Sequence, residues 1–204
     1  MTCRLREVIR RRCLERAVPA PAARVYLIVC GRAGTRWEGA RKDEFVKALV
    51  SDGRSPELPE EHDWFGKLVG SWRLDYLDRN LSSSVEGEWI FARVLEGMGI
   101  QDVIILPARD VRTETPHPLA EYGTSLRVYN PGTHAWDVAY AYAGKIFRLE
   151  ARREGDMVVL TNLGDRRHKW VFASIEDDRF HWQNVNVRDD GSWHVNADIY
   201  AERV

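Results

Sequence analysis

The sequence predicts an all-β fold: one closed, antiparallel up-and-down barrel of about ten strands, preceded by a short N-terminal helix. Three observations predict it. From Gly70 to Arg203, short segments of alternating apolar and polar residues follow one another with hardly a helical period among them. Turn chemistry separates them: Asn130-Pro-Gly132, Glu154-Gly155-Asp156 and Asp190-Gly191. No repeat of fixed period is present, which excludes a propeller or solenoid. About ten strands in ~135 residues make a barrel able to enclose one small ligand.

The elements follow in chain order. Residues 1–42 form a basic extension with eleven Lys/Arg against three acids, while the rest of the chain carries a net −9 and the whole only −1. The extension shows no periodic apolar face and reads as disordered. Its apolar run, Val25–Cys30, is too short to span a bilayer, and Pro19, Pro21 and Arg24 interrupt a signal-peptide core. Asp43–Val50 is a short amphipathic stretch with Phe45, Ala48 and Leu49 on one side, and Ser51–Leu58 is a linker. Pro59–Gly70 reads as a helix: Pro59 suits its first turn, Glu60 and Glu61 complement its dipole, and Trp64, Phe65 and Leu68 give it an apolar side. The chain thus divides into the extension over 1–42, a helical lead-in over 43–69 and the barrel over 70–204.

The predicted strands are Ser71–Asp78, Val85–Val94, Ile100–Leu106, Thr124–Asn130, Ala135–Ala143, Lys145–Arg153, Asp156–Asn162, His168–Ser174, Arg179–Val187 and Ser192–Arg203. A two-residue Asp190-Gly191 turn sets the last register. It puts Trp182 opposite Ile199, Asn184 opposite Ala197 and Phe180 opposite Ala201 on a mainly apolar face. His181 then faces Tyr200, Gln183 faces Asp198 and His194 faces Val187 on the other. The Asn130-Pro-Gly132 hairpin is open: either Trp136, Val138 and Tyr140 point inward, or Asp137, Ala139 and Ala141 do. The long connection Pro107–Gly123 has the length of a lid or portal.

Leu68-Val-Gly-Ser-Trp72, Gly87-Glu-Trp-Ile-Phe91, Leu95-Glu-Gly97 with Ile100-Gln-Asp-Val103, Tyr129-Asn-Pro131 and Asp189-Asp-Gly-Ser-Trp193 occur in this order. In them the chain resembles the bacterial lipocalin-like barrel proteins of the calycin group, a domain family of unknown function, over roughly residues 60–203. The resemblance implies a barrel with an internal cavity and an N-terminal helix near one mouth, and it carries over no catalytic residue. The haem-binding nitrobindin barrel is a relative whose first strand has Gly-x-Trp-x-Gly-x-Gly. Gly70-Ser-Trp-Arg-Leu-Asp-Tyr76 keeps the first Gly and the Trp and loses both later glycines, so haem is not expected.

Composition narrows the chemistry. The near-neutral charge gives no reason to expect nucleic acid or an acidic membrane as partner. Cys3, Cys13 and Cys30 all lie in the extension, so the barrel is neither a disulfide scaffold nor a thiolate metal site, and a reducing cytoplasm suits it. No two of the six histidines have metal-ligand spacing, and no Gly-x-Ser-x-Gly elbow or Gly-rich phosphate loop is present. What stands out is an aromatic set on presumed inward faces, Trp72, Trp89, Trp170 and Trp182, with a few polar residues among them: Arg93, Asp102, Arg148, His168 and Asn184. Arg93 with Asp102 would make an internal ion pair. An apolar cavity with a few orienting polar groups binds a small hydrophobic or aromatic molecule. The expectation is therefore ligand binding without chemistry and without a cofactor, with a homodimer as the only macromolecular partner in view. The alternative is a cofactor-free isomerase, cyclase or lyase using His168, Asp102 or an arginine in the same cavity.

Overall fold

The computed structural model describes residues 36–204. The expected disordered extension falls largely outside them, cysteines included. Ten strands run β1 (Gly70–Asp78), β2 (Ser83–Val94), β3 (Gly99–Leu106), β4 (Glu121–Asn130), β5 (Ala135–Tyr142), β6 (Lys145–Glu154), β7 (Met157–Asn162), β8 (His168–Ile175), β9 (Arg179–Val187) and β10 (Trp193–Arg203). Each pairs antiparallel with its chain neighbours, and β1 on β10 closes the ring. This is the up-and-down barrel the alternation predicts, and closure leaves no unpaired edge. We call the end where β1 begins the lower end. The 107–120 connection lies at the upper end.

Two helical expectations change. The helix α1 spans Arg36–Leu49, starting well before Asp43. Phe45 and Val46 are exposed on it, so its described apolar residues bury no face of their own. The segment Pro59–Gly70 is not one helix but two 3-10 turns, Glu60–His62 and Gly66–Leu68. The barrel takes the carbonyls that a helix would use internally. Trp136 Nε1 donates to His62 O at 2.9 Å, and Trp72 Nε1 donates to Leu68 O at 2.7 Å.

These turns plug the lower end. Leu58, Phe65 and Leu68 are fully buried, and Phe65 meets Trp136 and Phe172 edge-on at 5.3 and 5.8 Å. Arg93 donates to Asp63 of the plug at 2.6 Å. Arg203 donates to Val69 O and Lys67 O at 2.9 and 2.6 Å, with its guanidinium 4.1 Å over the Trp72 ring. Gly97, at φ +83°, lets the β2–β3 turn lie against the linker at Gly53 and Ser55, where a Cβ would collide with backbone.

Facing within the barrel is settled by burial. Trp136, Val138 and Tyr140 are buried and Asp137, Ala139 and Ala141 are exposed, so the large residues of β5 point inward and the alanines do not widen the lumen. The β9–β10 register matches the expected one from Asn184–Ala197 to Arg179–Glu202. It then slips by one at a bulge at Asn196, so His194 faces Asn186 rather than Val187. The polar outer face of this hairpin holds a buried charge, Asp198, bonded by His181 and Gln183 at 2.8 and 2.9 Å and by Arg79. Burial alone would push the Asp198 carboxyl up, but these donors outweigh it and hold it below its ordinary value.

Candidate functional site

On β1, β2, β6, β8 and β9 the inward faces grade from dry to wet along the barrel, while β3 and β10 stay buried to Leu106 and Ala197. On β1 the order from the lower end is Trp72, Leu74, Tyr76; on β6 it is Ala151, Leu149, Phe147; on β8 it is Phe172, Trp170, His168. In each case burial is complete below and partial at the top. The same holds for Phe180, Trp182 and Asn184 on β9 and for Phe91, Trp89 and Val85 on β2. Below, rings from distant strands meet across the lumen: Trp89 lies 5.7 Å from Phe180, 6.0 Å from Phe172 and 6.1 Å from Trp182. They form an aromatic floor. Above it the inward side chains are partly exposed.

A pocket of about 620 Å³ opens at this upper end. Val85, Leu106 and Glu121 line it from the barrel, and Val111, Pro116 and Tyr122 from the 107–120 connection and its junction with β4. That volume fits a small organic ligand.

Two walls face each other above the floor. β4 and β9 stand five strands apart in a ring of ten, as do β3 and β8. The β3–β4 wall is mixed. Ile100, Ile104 and Leu106 keep the inward face of β3 apolar around Asp102, and β4 turns Glu121, Gly123, Ser125 and Arg127 inward, while Tyr122 and Leu126 are exposed outside. Arg127 is ion-paired with Asp102, both essentially without solvent contact, and lies 5.1 and 5.5 Å from the rings of Phe65 and Phe91. Ser125 N donates to Asp102 at 3.2 Å. Higher up, the Tyr140 hydroxyl donates to Glu121. Gly123 makes this possible, because a Cβ there would run into that hydroxyl.

The β8–β9 wall is aromatic with an amide rim. Trp170 touches Trp182 at 5.9 Å and Tyr140 edge-on at 5.1 Å. His168 Nε2 and Asn184 Oδ1 are 3.0 Å apart, Asn196 donates to the same oxygen at 3.1 Å, and His168 Nδ1 lies 3.4 Å from Asn162. The indole N–H groups of Trp89, Trp170 and Trp182 are buried and have no hydrogen-bond partner in the protein.

Burial pushes the Glu121 carboxyl above its ordinary value, partly offset by the Tyr140 bond and reinforced by Asp102. Burial beside Glu121 pushes Tyr140 up as well, and Tyr76 rises to about 12 for the same first reason, with Asp78 and Glu121 adding to it. For an acid raised in the folded state, that state holds the extra proton, so stability is lost as pH climbs from the usual carboxylate range through the raised value. Urea unfolding of wild type and Glu121→Gln, followed upward in pH from the usual carboxylate range, should show the variant gaining on wild type as pH rises. Parallel curves would mean that Glu121 is not held protonated by its site.

The expected site residues divide. Trp89, Trp170, Trp182, His168 and Asn184 come together around the upper lumen and its floor. Trp72 and Arg93 sit at the plugged end instead. Asp102 lies inside on the opposite wall, but its partner is Arg127, and Arg93 pairs with Asp63; the Arg93–Asp102 pair does not form. Arg148 is exposed, because Leu149 and Phe147 take the inward positions of β6. Glu121, Ser125 and Arg127 are the lumen residues the sequence reading left out, while Tyr140 takes the inward one of the two placements it allowed. An acid in the apolar run Ile100–Leu106 needs a buried partner, and that demand was the available signal for Arg127. Among the described residues no three His, Cys, Asp or Glu side chains gather to hold a metal ion, and no helix is long and apolar enough to cross a membrane.

No protein-family model and no curated protein matches this chain. Among solved structures, a protein of unknown function from the DUF3598 family of Nostoc punctiforme is similar at 8% identity. The match covers 72% of this chain and all of that one, with a TM-score of 0.22, too low to carry an argument.

Proposed function

We propose that this chain binds a small, largely apolar molecule in the upper lumen of its barrel, without catalysing a reaction on it, as a lipocalin-like carrier or sensor would. The molecule enters beneath the 107–120 connection and rests on the aromatic floor. The observation that supports this most is the graded burial of the inward faces: large apolar side chains that should be dry are half-wet toward the mouth. A cytoplasmic setting belongs to the same reading, supported by the cysteine-free barrel.

The test is titration with prodan, a neutral fluorescent naphthalene. It should bind with one-to-one stoichiometry and quench Trp emission, at micromolar affinity, about 8 kcal/mol. Val85→Trp, which fills the mouth pocket, should weaken it at least about tenfold, a change of ~1.4 kcal/mol. Equal binding by Val85→Trp would place the probe elsewhere and sink the proposal.

A second reading rests on Glu121. A carboxyl whose protonated form is favoured by burial, at the edge of an apolar pocket, suits a general acid, and a cofactor-free isomerase, cyclase or lyase would use it in that role. Asp102 is less suited, being closed off by Arg127 and Ser125. Turnover of a bound carbonyl compound that is lost in Glu121→Gln, with binding retained, would favour this reading over simple binding.

A further inference from the structure

The barrel's unmet hydrogen bonds are one-sided. Each polar side-chain atom buried without a partner on the strands is a donor: the indole N–H of Trp89, Trp170 and Trp182, and Nε of Arg127. The acceptors of the interior are mostly engaged, Glu121 through one of its two oxygens. Asp102 takes Arg127 and Ser125 N, Glu121 takes Tyr140, and Asn184 Oδ1 takes Asn196 and lies against His168. A buried donor left unpaired loses its water without compensation. A neighbouring ring face returns only part of that, as in the edge-on approach of Trp89 and Trp182. Trp89 and Trp182 are 5% and 7% exposed, so water does not freely satisfy them.

The three indoles also form one row. Ring contacts lead from Trp89 through Trp182 and Trp170 to Tyr140, whose hydroxyl reaches Glu121 at the mouth pocket. None of the three indoles lines that pocket itself, so a molecule reaching the row must pass below Glu121 and part the rings, where it would meet donors and few free acceptors. Within the barrel the two arginines are already neutralised, Arg93 by Asp63 and Arg127 by Asp102. An anion at depth would lack a free counter-charge there and would stand near the Glu121 carboxyl.

We infer that the ligand of this barrel has an apolar body ending in a neutral carbonyl, a ketone, ester or lactone, which the indole N–H groups of Trp182 and Trp170 receive. This rests on the upper lumen being the binding site, as proposed above. It goes further in excluding amines and alcohols, whose own donors would find few open acceptors, and carboxylates, whose charge would find no free cation.

Three isosteric probes separate the carbonyl from a hydrocarbon and a carboxylate: 2-acetylnaphthalene, 2-ethylnaphthalene and 2-naphthoate. They share one ring system and differ in a carbonyl, a methylene or a carboxylate at one position. By calorimetry or Trp quenching the ketone should bind about tenfold more tightly than the hydrocarbon, the worth of one well-made buried hydrogen bond. The carboxylate should bind most weakly. Trp182→Phe keeps a ring and removes the N–H, so it should erase most of the ketone's advantage and leave the hydrocarbon's affinity within about twofold. Trp170→Phe serves the same purpose if Trp182→Phe does not fold. In the wild type, the assigned indole proton resonances of Trp182 and Trp170 should move downfield with the ketone and not with the hydrocarbon. Equal binding of ketone and hydrocarbon, tighter binding of the carboxylate, or an advantage that survives both Phe variants would overturn the carbonyl inference alone. Failure of all three probes to bind would overturn the lumen as a binding site, and this inference with it.

Discussion

Asp102→Ala should destabilise the protein by about 3–5 kcal/mol, because it strands a buried guanidinium. Arg127 has 1% side-chain exposure, lies against the rings of Phe65 and Phe91, and has no second carboxylate in reach. Its Nε is unpartnered even with Asp102 present. The paired change Asp102→Leu with Arg127→Met should recover most of the loss, since two apolar residues of similar volume need no charge compensation. Urea unfolding of the single and double variants measures both effects. If the double variant is as unstable as the single, the cost lies in shape and not in the stranded charge.

Trp72→Ala should cost a similar ~3–5 kcal/mol, by a different route. The ring is 1% exposed, sits edge-on to Phe180 at 4.8 Å and carries Arg203 on its face. Its N–H also satisfies Leu68 O in the plug. Removing it opens a cavity, orphans that carbonyl and frees Arg203 at once. Trp72→Phe keeps a ring and loses the hydrogen bond, so it should cost about 1–2 kcal/mol, mostly for the unpaired carbonyl. Ile146→Ala, at a 76% exposed position, is the matched control and should stay within roughly 0.5 kcal/mol of wild type. A loss at Trp72→Ala no larger than that control would mean that the plug is only loosely seated.

The strands were legible because their inward residues are mostly apolar and their turns carry Gly, Asn and Asp. Arg179–Val187 is observed as read, and other strands shift by one or two residues at an end. β4 is the exception. Alternation was readable from Thr124, but the strand begins at Glu121. Its inward set of Glu121, Gly123, Ser125 and Arg127 looks like a solvent face, and its outward Tyr122 and Leu126 look like a core face. Binary pattern assumes a dry interior, and this wall breaks the assumption, so the carboxyl that borders the mouth pocket was hidden in an apparent loop. The lead-in misled for a related reason. Pro59, Glu60 and Glu61 are sound helix-start signals, but the competing donors are indoles from Trp72 and from Trp136, 74 residues beyond His62. Local propensity cannot see a partner so far along the chain.

The seam between β1 and β10 has a kinetic consequence. Nine strands can zip pairwise, each onto the one before, with little loop entropy to overcome. The last pairing joins residues more than a hundred positions apart, from Trp72 with Arg203 to Asp78 with Ala197. Until that moment both margins of the sheet are exposed to other chains. The last grip on the plug waits on the same event, because the guanidinium that holds Lys67 O and Val69 O belongs to Arg203, the final residue of the final strand. Ring closure therefore completes the cap. A chain arrested before it would be an open sheet with its apolar interior uncovered, the form of this protein most prone to pair with its own kind.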